Sequence, residues 1–338
     1  MVTLKEIANV CGVSVATVSK ALNHASDISQ ETTEKVSRVA RELGYYPNAA
    51  ARQLKTNRSY NIGVLFVDDT HCGLTHEYFS SVLNAVKNEV EHNGYDVTFI
   101  SKNIGSTTMS YLEHARYRNC DGVVIASVDF SEKDVLDLVN SDIPVVTIDY
   151  IFDDHSAVLS DNVKGVRELV QYIYSLGHRK IAFIHGEMTA VTRSRLASFY
   201  KSCKALGIEV PDGYVQEARY HEPHLSAQAT KTILDLDDPP TCILYPDDIS
   251  YLGGAVEIEK RGLKIPDDIS VTGYDGILLS RMIRPMLTTM SQDSVGLGSE
   301  AAKLLLEAIE DPKTYIPRLV MIPGHLQTGG TVKDINEA

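Results

Sequence analysis

The sequence has few cysteines, and none of them forms a closely spaced pair. The five cysteines are scattered along 338 residues without a CxxC motif, which excludes a disulfide framework and a zinc ribbon. The chain also lacks an N-terminal export signal and any run of about 18 apolar residues, the length needed to span a membrane. We therefore expect a protein of the reducing cytoplasm with no membrane partner.

Motifs of common enzymes are absent as well. GxSxG, HExxH and Walker sequences do not occur, and no GxGxxG follows an apolar strand pattern. His71, Cys72 and His76 lie close in sequence, as do His221 and His224, but neither group has the spacing or the complete ligand set of a zinc site. We expect these histidines to be solvated loop residues, and we expect no catalytic residue, cofactor or bound metal.

Charge is divided unevenly along the chain. Residues 1–60 contain eight lysines and arginines against five acidic residues, whereas the remainder contains 24 against 40. Because neutralising phosphates requires local lysine and arginine, a basic head on an acidic body favours contact of the head alone with a polyanion. The length of 338 residues predicts two or three folded units.

Residues 1–46 have the pattern of three short helices. We predict N-caps at Thr3, Ser14 and Ser29, and helix ends at Gly12 and Gly44. The residues predicted to form their apolar faces are Leu4, Ile7, Ala8, Val18, Ala21, Leu22, Val36, Val39, Ala40 and Leu43. Two helices joined by a tight glycine turn form a helix-turn-helix, although a plain helical hairpin fits the same spacing.

The segments VTLKEIANVCGVSVATVSKALN and LGYYPNAAARQL resemble the head of the LacI/GalR (lactose-repressor/galactose-repressor) family of bacterial transcription regulators. NIGVLFVDD, SLGHRKIAFIHG, KIPDDISVTGYD and MLTTMSQD resemble later segments of that family, in the same order. The resemblance implies a ligand-responsive regulator, most often a repressor, that binds a pseudo-palindromic double-stranded DNA operator as a homodimer. It identifies GVSVATVSKALN as a recognition helix that enters the major groove.

The resemblance also assigns DNA contacts. Val15, Ala16 and Lys20 match base-reading positions, where the two small side chains suit thymine methyls and Lys20 suits a guanine edge. The family more often has arginine at the last position, and lysine offers a point charge instead of a planar fork. The other residues matched to DNA contacts are Thr3, Ser14, Thr17, Ser19, Asn23, Tyr45, Asn48, Arg52 and Leu54.

Residues 47–60 differ in composition from an ordinary linker. Pro47 favours an extended Tyr46, Asn48 can cap a helix, and AAARQLK favours a helix of only about two turns. This segment resembles the hinge helix of the family, which orders on DNA and inserts Leu54 into the minor groove. An ordinary interdomain linker remains the alternative interpretation.

Residues 61–338 alternate between apolar strand patterns and helical patterns. The predicted strands are IGVLFV, DVTFI, GVVIAS, PVVTID, KIAFIH, CILY and ISVTGYD. This alternation predicts parallel sheets with right-handed crossovers, and the strands are numerous enough for two sheets. The resemblance implies a two-lobed α/β core like that of periplasmic binding proteins, following an all-α headpiece and a hinge helix.

Polar residues follow several predicted strands and form the candidate effector site. Asp149 and Asp275 end strands, Asp247 and Asp248 follow another, and Arg195 lies near the start of the helix after IAFIHG. Ligands of open α/β sheets bind at the carboxyl ends of strands, and carboxylates with an arginine can bind sugar hydroxyls. For each aspartate the alternative is a simple helix cap, an interpretation that fits Asp248 best.

Two further residues and one departure from the family refine the ligand. Tyr78 and Phe79 can stack on a sugar ring. Asp247-Asp248 replaces the Asn-Asp usual in the family, and the added negative charge favours a neutral or cationic ligand over a phosphate or carboxylate. Most family members bind sugars or their derivatives, so the resemblance implies a sugar or sugar-like effector.

Two other functions fit parts of the sequence. A sugar-binding protein or sugar enzyme on the same fold would leave the head unexplained, and a regulator controlled by a phosphoprotein corepressor would need a basic site that the acidic body does not offer. After the predicted last strand, RLVMIPGHL, the tail QTGGTVKDINEA has no apolar heptads for a coiled coil. We therefore predict a dimer joined through the lobes.

Overall fold

The computed structural model describes residues 2–22, 25, 27–45, 53, 58–67 and 73–336. The chain separates into two compact units, Met1–Ser59 and Tyr60–Ala338. None of the described helices combines the length and the apolar composition needed to cross a membrane.

The described part of the first unit contains three helices, α1 (Leu4–Cys11), α2 (Val15–Leu22) and α3 (Gln30–Glu42). The Thr3 side chain and the Glu6 side chain form the predicted capping box at the start of α1. Gly12 ends α1 with a φ of 69°, a conformation that glycine adopts without steric cost. The three helices of the prediction are thereby confirmed.

A small apolar core holds these helices together. Its buried residues are Ile7, Ala8, Cys11, Val18, Ala21, Val36, Val39 and Ala40. The prediction was wrong for Leu43, which lies one residue beyond the end of α3 and is 38% exposed. Because the helical period ends at Glu42, Leu43 no longer follows the apolar face of α3.

The second unit is built from strands that alternate with helices. The described strands are β1 (Asn61–Phe66), β2 (Asp96–Ile100), β3 (Asn103–Ile104), β4 (Thr107–Thr108), β5 (Gly122–Ala126), β6 (Val145–Ile148), β7 (Ser156–Ser160), β8 (Ile181–His185), β9 (Val215–Glu217), β10 (Cys242–Leu244), β11 (Ser270–Asp275), β12 (Thr288–Ser291), β13 (Leu319–Ile322) and β14 (His325–Gln327). The described helices are α4 (Glu77–His92), α5 (Tyr111–Tyr117), α6 (Lys133–Val139), α7 (Asn162–Ser175), α8 (Ala190–Ala205), α9 (Pro223–Leu234), α10 (Asp248–Lys260), α11 (Leu278–Met282) and α12 (Ser294–Glu310).

The described strands form two large sheets and one small hairpin. The first sheet has the order β13-β7-β6-β5-β1-β2 and the second the order β14-β12-β11-β10-β8-β9. All neighbours in these two sheets are parallel except β12 and β14. We call the part of the unit built on the first sheet the first lobe and the part built on the second sheet the second lobe. The predicted pair of parallel sheets is confirmed.

Each sheet is covered by apolar side chains on both faces, as expected for a parallel sheet. In β5, Val124 faces a cluster formed with α4 and α12, whereas Val123 and Ile125 face a cluster formed with α5 and α6. The second sheet has equivalent clusters on its two faces. The strand residues therefore read as continuous apolar runs, which is why the sequence pattern located them.

The described chain passes between the lobes three times. It leaves the first sheet after β7, returns after β12, and leaves again between β13 and β14. The segment RLVMIPGHL, predicted as one last strand, is therefore two strands in different sheets. Pro323 and Gly324 separate these strands, because proline has no amide hydrogen for a sheet ladder.

Candidate functional site

Helix α2 presents small residues outward and buries its larger apolar face. Val18 and Ala21 are fully buried, whereas Val15 is 43% exposed and Ala16 is also exposed. Thr17 and Ser19, also predicted to contact DNA, are half-buried on the same helix. An outward face without bulky side chains allows the helix backbone to approach a groove closely.

Lys20 extends from the last turn of α2 and forms an ion pair with Asp27. Both side chains are about half exposed, so this pair contributes little to stability. A guanine edge offers Lys20 two acceptors in place of the carboxylate. Contact with a base would thus require Lys20 to exchange partners.

The remaining headpiece predictions fall into two groups. Thr3 and Ser14 are exposed, but both also serve the helices: the Thr3 amide donates to Glu6 Oε2 at 2.7 Å, and Ser14 Oγ accepts from the Thr17 amide at 3.0 Å. Tyr45 packs against the core of the first unit. The predicted DNA contacts that lie outside the described residues are Asn23, Asn48, Arg52 and Leu54.

The six predicted effector residues lie around the facing ends of the two lobes. Tyr78, Phe79 and Asp149 belong to the first lobe, and the other three, Arg195, Asp247 and Asp275, belong to the second. Tyr78 is near enough to Asp149, Asp275 and Arg195 for their charges to affect its pKa, which burial chiefly raises. We call this cluster the cleft cluster, and its role in ligand binding remains a prediction.

Asp149 is held in place by residues of the first lobe. Its Oδ1 accepts a hydrogen bond from the Ser160 amide at 2.8 Å, and its Oδ2 accepts from the Tyr78 hydroxyl at 3.4 Å. Burial raises the pKa of Asp149 against the opposing effects of the Ser160 amide and Arg195. The carboxylate therefore has a defined orientation at the point where the chain leaves β6.

Asp275 ends β11 with a φ of 100°, a conformation that side-chain-bearing residues rarely adopt. Its Oδ1 accepts from Gln292 Nε2 at 2.6 Å. Burial raises the pKa of Asp275 to about 6, with Asp247 adding to this effect and Arg195 opposing it. Strain of this kind persists where surrounding contacts enforce it and is common at functional sites.

Asp247 is the N-cap of α10 and accepts hydrogen bonds through both carboxylate oxygens. It accepts from the Ser250 amide through Oδ1 at 2.7 Å and from the His221 amide through Oδ2 at 3.0 Å. Burial opposes its ionisation, but His221 and these hydrogen bonds lower the pKa of Asp247 to about 2. The charged form of Asp247 is therefore favoured within the cleft cluster.

Of the acidic pair, Asp247 is the helix cap and Asp248 is not. Asp248, expected to be the cap, instead turns inward and accepts from Thr289 Oγ1 at 2.6 Å and from the Ile277 amide at 3.0 Å. Burial raises the pKa of Asp248 well above its usual value, and the charge of Asp275 adds to the shift. The expectation was wrong because a local pattern does not show which aspartate faces the strands below.

Arg195, a member of the cleft cluster, lies on α8 and is buried. Its Nε donates to Asn162 Oδ1 at 2.7 Å, and its Nη1 donates to the Pro246 carbonyl at 3.0 Å. The guanidinium carbon lies 3.6 Å from the centre of the Tyr274 ring, a cation–π contact. These contacts fix the cation near Asp149 and Asp275.

Two histidines that were expected to be solvated, His76 and His221, instead lie beside the cleft cluster. His76 caps α4 in the first lobe, and His221 follows β9 in the second; His76 Nε2 lies 2.8 Å from His221 Nδ1. The expectation of solvated loop histidines was wrong for both, since His76 is 7% exposed and the His221 side chain 10%. Only His224 is solvated as expected among the described members of those two groups.

Phe79 lies beside this pair of rings. Its ring centre is 5.3 Å from that of His76 and 5.2 Å from that of Phe66. The sequence held one signal for the histidines, because each precedes a predicted helix start near a strand end. It held no signal that residues 145 positions apart would meet.

Two family descriptions match the chain. Bacterial regulatory proteins of the lacI family match residues 3–48, and a periplasmic binding protein-like domain matches residues 170–332.

Relatives match over almost the whole chain. The HTH-type transcriptional repressor PurR of Pasteurella multocida (strain Pm70) is 31% identical over 317 residues, which cover 92% of this chain and 93% of that protein. PurR of Vibrio campbellii (strain ATCC BAA-1116) is 31% identical over 344 residues, covering 99% of this chain and 100% of that protein. The lac repressor dimer bound to operator and the anti-inducer ONPF has a TM-score of 0.81 at 27% identity, covering 98% of this chain and 99% of that chain.

Proposed function

The chain belongs to the LacI family of bacterial regulatory proteins, and we propose that it is a cytoplasmic, ligand-responsive repressor that binds a pseudo-palindromic operator as a homodimer. The relatives named above are DNA-binding repressors, so the chain is a DNA-binding regulator and not an enzyme. We assign operator contacts to residues 1–46, a hinge helix to residues 47–60, and effector binding and dimerisation to residues 61–338.

The outward face of α2 carries this proposal. Val15 and Ala16 are exposed although a surface helix usually carries charge there, and Lys20 extends from the same helix. Small side chains bring the helix backbone close to base edges, and Lys20 supplies a donor for guanine. The lac repressor, a relative, is described as a dimer bound to operator, and a two-fold protein requires two-fold half-sites.

The cleft cluster supports a sugar or sugar-like effector. Asp149, Asp247 and Asp275 offer carboxylate oxygens to hydroxyl groups, and Phe79 offers an aromatic face nearby. The cleft cluster has three acidic side chains and one arginine, and this excess of negative charge disfavours an anionic ligand. The residues come from both lobes, so a ligand bound among them would favour one arrangement of the lobes.

Two measurements on the full-length protein test the proposal. Operator fragments selected from random DNA should contain two inverted half-sites, and gel shifts should show a single cooperative complex. A thermal-shift screen with neutral sugars should then identify a ligand, because at about 100 times its Kd a ligand adds about 2.7 kcal/mol of stability. Selection of no DNA sequence, or of one asymmetric site, would contradict the proposal.

A further inference from the structure

Three side chains with metal-binding atoms meet in the cleft cluster. His76 comes from the first lobe, and His221 and Asp275 come from the second. One ligand atom from each lies within 4.8 Å of the other two, and the two ring nitrogens are 2.8 Å apart. Two imidazoles and one carboxylate are donors that suit first-row transition metals.

The protein backbone holds two of these residues, His221 and Asp275, in position. The His221 φ of 58° lies in the left-handed region, and its amide is tied to Asp247 Oδ2 at 3.0 Å. Asp275 also has a positive φ and is bonded through Oδ1 to Gln292, a residue that is 8% exposed. Two strained residues, each with a hydrogen bond that orients it, indicate that the placement is enforced by the fold.

The contact between the histidines also indicates a cation. Two neutral rings in direct contact share one proton between Nε2 and Nδ1, and His221 Nδ1 also lies 3.3 Å from Asp247 Oδ1. Metal–nitrogen bonds of about 2.0–2.1 Å set two nitrogens on one ion about 3 Å apart, close to the separation found here. An ion between the rings would take the place of the shared proton, which would move to the other nitrogen of its own ring, so that both imidazoles stay neutral.

We propose that His76, His221 and Asp275 bind one divalent transition-metal ion of the Zn²⁺, Co²⁺ or Ni²⁺ type between the two lobes. Ca²⁺ and Mg²⁺ prefer oxygen ligands and suit the two imidazoles poorly. Coordination through His76 Nε2 requires the ring proton to lie on Nδ1. His76 Nδ1 then no longer accepts the long hydrogen bond of 3.4 Å from the Phe79 amide. Three protein ligands leave a coordination position for water or for a hydroxyl of an effector.

The ion would link the lobes, because its ligands come from both. It would favour the lobe arrangement in which the three side chains meet, so metal and effector would be coupled through that arrangement. The regulatory consequence rests on the proposed function, whereas metal binding does not and can be tested without DNA or sugar.

The test uses the untagged full-length protein, stripped with a chelator and titrated with Co²⁺ and Zn²⁺ by calorimetry. We expect one equivalent to bind, and we expect ligand-field absorption from Co²⁺. His76→Gln and His221→Gln should each weaken binding by about tenfold or more, since each removes one of three ligands. His224→Gln is the matched control, because His224 is exposed and lies outside the three residues; it should bind metal like the unchanged protein.

Circular dichroism and thermal melts of the stripped variants show whether each remains folded. The inference would be overturned if the stripped protein bound no metal. It would also be overturned if folded His76→Gln and His221→Gln bound metal as tightly as the unchanged protein. Operator binding is measured with and without sugar, in chelator and in Co²⁺. If sugar changes operator binding in chelator and the protein binds no metal, the metal site is wrong and the proposed function stands. Stoichiometric metal binding that depends on both histidines supports the metal site even if no sugar changes operator binding.

Discussion

Asp247 and Asp275 belong to one cluster, but their surroundings move their pKa values in opposite directions. Burial disfavours the charged form of both. The pKa of Asp247 falls to about 2 because His221 and the hydrogen bonds from Ser250 outweigh burial, whereas that of Asp275 rises to about 6. The cleft cluster thus holds one carboxyl group whose charged form is favoured and one whose charged form is disfavoured.

Asp275→Asn should weaken effector binding by about tenfold to a hundredfold, since removing one partner of a buried hydrogen bond costs about 1–3 kcal/mol. Asparagine tolerates a positive φ better than most residues, so the backbone at this position should persist. Operator affinity without effector should stay nearly unchanged. Effector calorimetry and operator titration measure the two quantities, and normal effector affinity would show that the pocket is misplaced.

Leu54→Ala should have the opposite effect to Asp275→Asn in the same two measurements. If the hinge prediction holds, loss of the wedge weakens operator binding while effector affinity of the full-length variant stays normal. Coupling between two sites acts only through states that both ligands distinguish. An equal loss of operator affinity and effector affinity in either variant would contradict the assignment of the two activities to separate parts of the chain.

Lys20→Ala should reduce affinity for the selected operator by about 1–3 kcal/mol and relax the preference at one base pair of each half-site. The reason is that Lys20 is the only predicted base-reading side chain with a hydrogen-bond donor. Competition binding with operators changed at single positions measures both effects. Asp27→Asn is the matched control, since it removes the carboxylate that pairs with Lys20 in the absence of DNA and keeps the lysine. Equal losses on random DNA would assign Lys20 to a phosphate.

His178 predicts a dependence of stability on pH. It is buried between Thr241 and the Lys333 carbonyl, and burial lowers its pKa, with Asp334 and Arg179 acting in opposite directions nearby. The unfolded chain binds a proton at about pH 6.5, where folded His178 stays neutral, so the free energy of unfolding should fall as pH drops below that value.

Urea unfolding at about pH 7.5 and about pH 5.5 measures this fall. His178→Gln keeps a donor for the Lys333 carbonyl but cannot titrate, so the difference between the two pH values should shrink. His224→Gln, at an exposed position, should leave the difference unchanged. An unchanged difference in His178→Gln would exclude this residue as the source.

Helices α4 and α12 pack closely because α12 has a glycine at the contact. A Cβ atom on Gly298 would overlap the Val82 carbonyl oxygen of α4 and lie 2.8 Å from Ala85 Cβ. Since α12 follows the second passage of the chain between the lobes, this contact fixes where the returning chain enters the first lobe. Close approach of two backbones explains a residue that helix propensity disfavours.

Gly298→Ala should destabilise the protein. Overpacking typically costs about 1–3 kcal/mol, of which the better helix propensity of alanine recovers up to about 1 kcal/mol. Urea unfolding measures the change, and Val295→Ala serves as the control because Val295 is 58% exposed on the same helix. A Gly298→Ala variant as stable as the parent would show that the two helices can move apart freely.

At the scale of the whole molecule, the described residues after β14 pack against the second lobe of the same chain. Val332 packs into an apolar cluster of the second lobe, and the Ile335 amide donates to the Leu176 carbonyl at 2.9 Å. The residues after β14 therefore form no described helix that could join four copies. This agrees with the predicted dimer without testing it.

Light scattering of the full-length protein at micromolar concentration should give the mass of a dimer. Footprinting on the selected operator should protect two half-sites related by two-fold symmetry, because a symmetric dimer presents two identical heads. A stable tetramer would contradict the prediction from the tail, and protection of a single half-site would contradict the dimer on DNA.

The sequence by itself determined the features that depend on neighbours along the chain. Thr3, Glu6 and Gly12 act within a few residues of one another, so their spacing predicted the first helix and its ends. The apolar runs of β1 and β5 likewise predicted buried parallel strands, because both faces of such strands lie in a core.

Only the tertiary structure decided which distant residues meet. His76 and His221 come together because the chain passes between two sheets and places the start of α4 against the end of β9. The same arrangement made Asp247 the cap and turned Asp248 inward, and it divided RLVMIPGHL between two lobes. Local patterns record interactions over a few residues, whereas these outcomes depend on the order of the strands and on the packing of their ends, which no short segment contains.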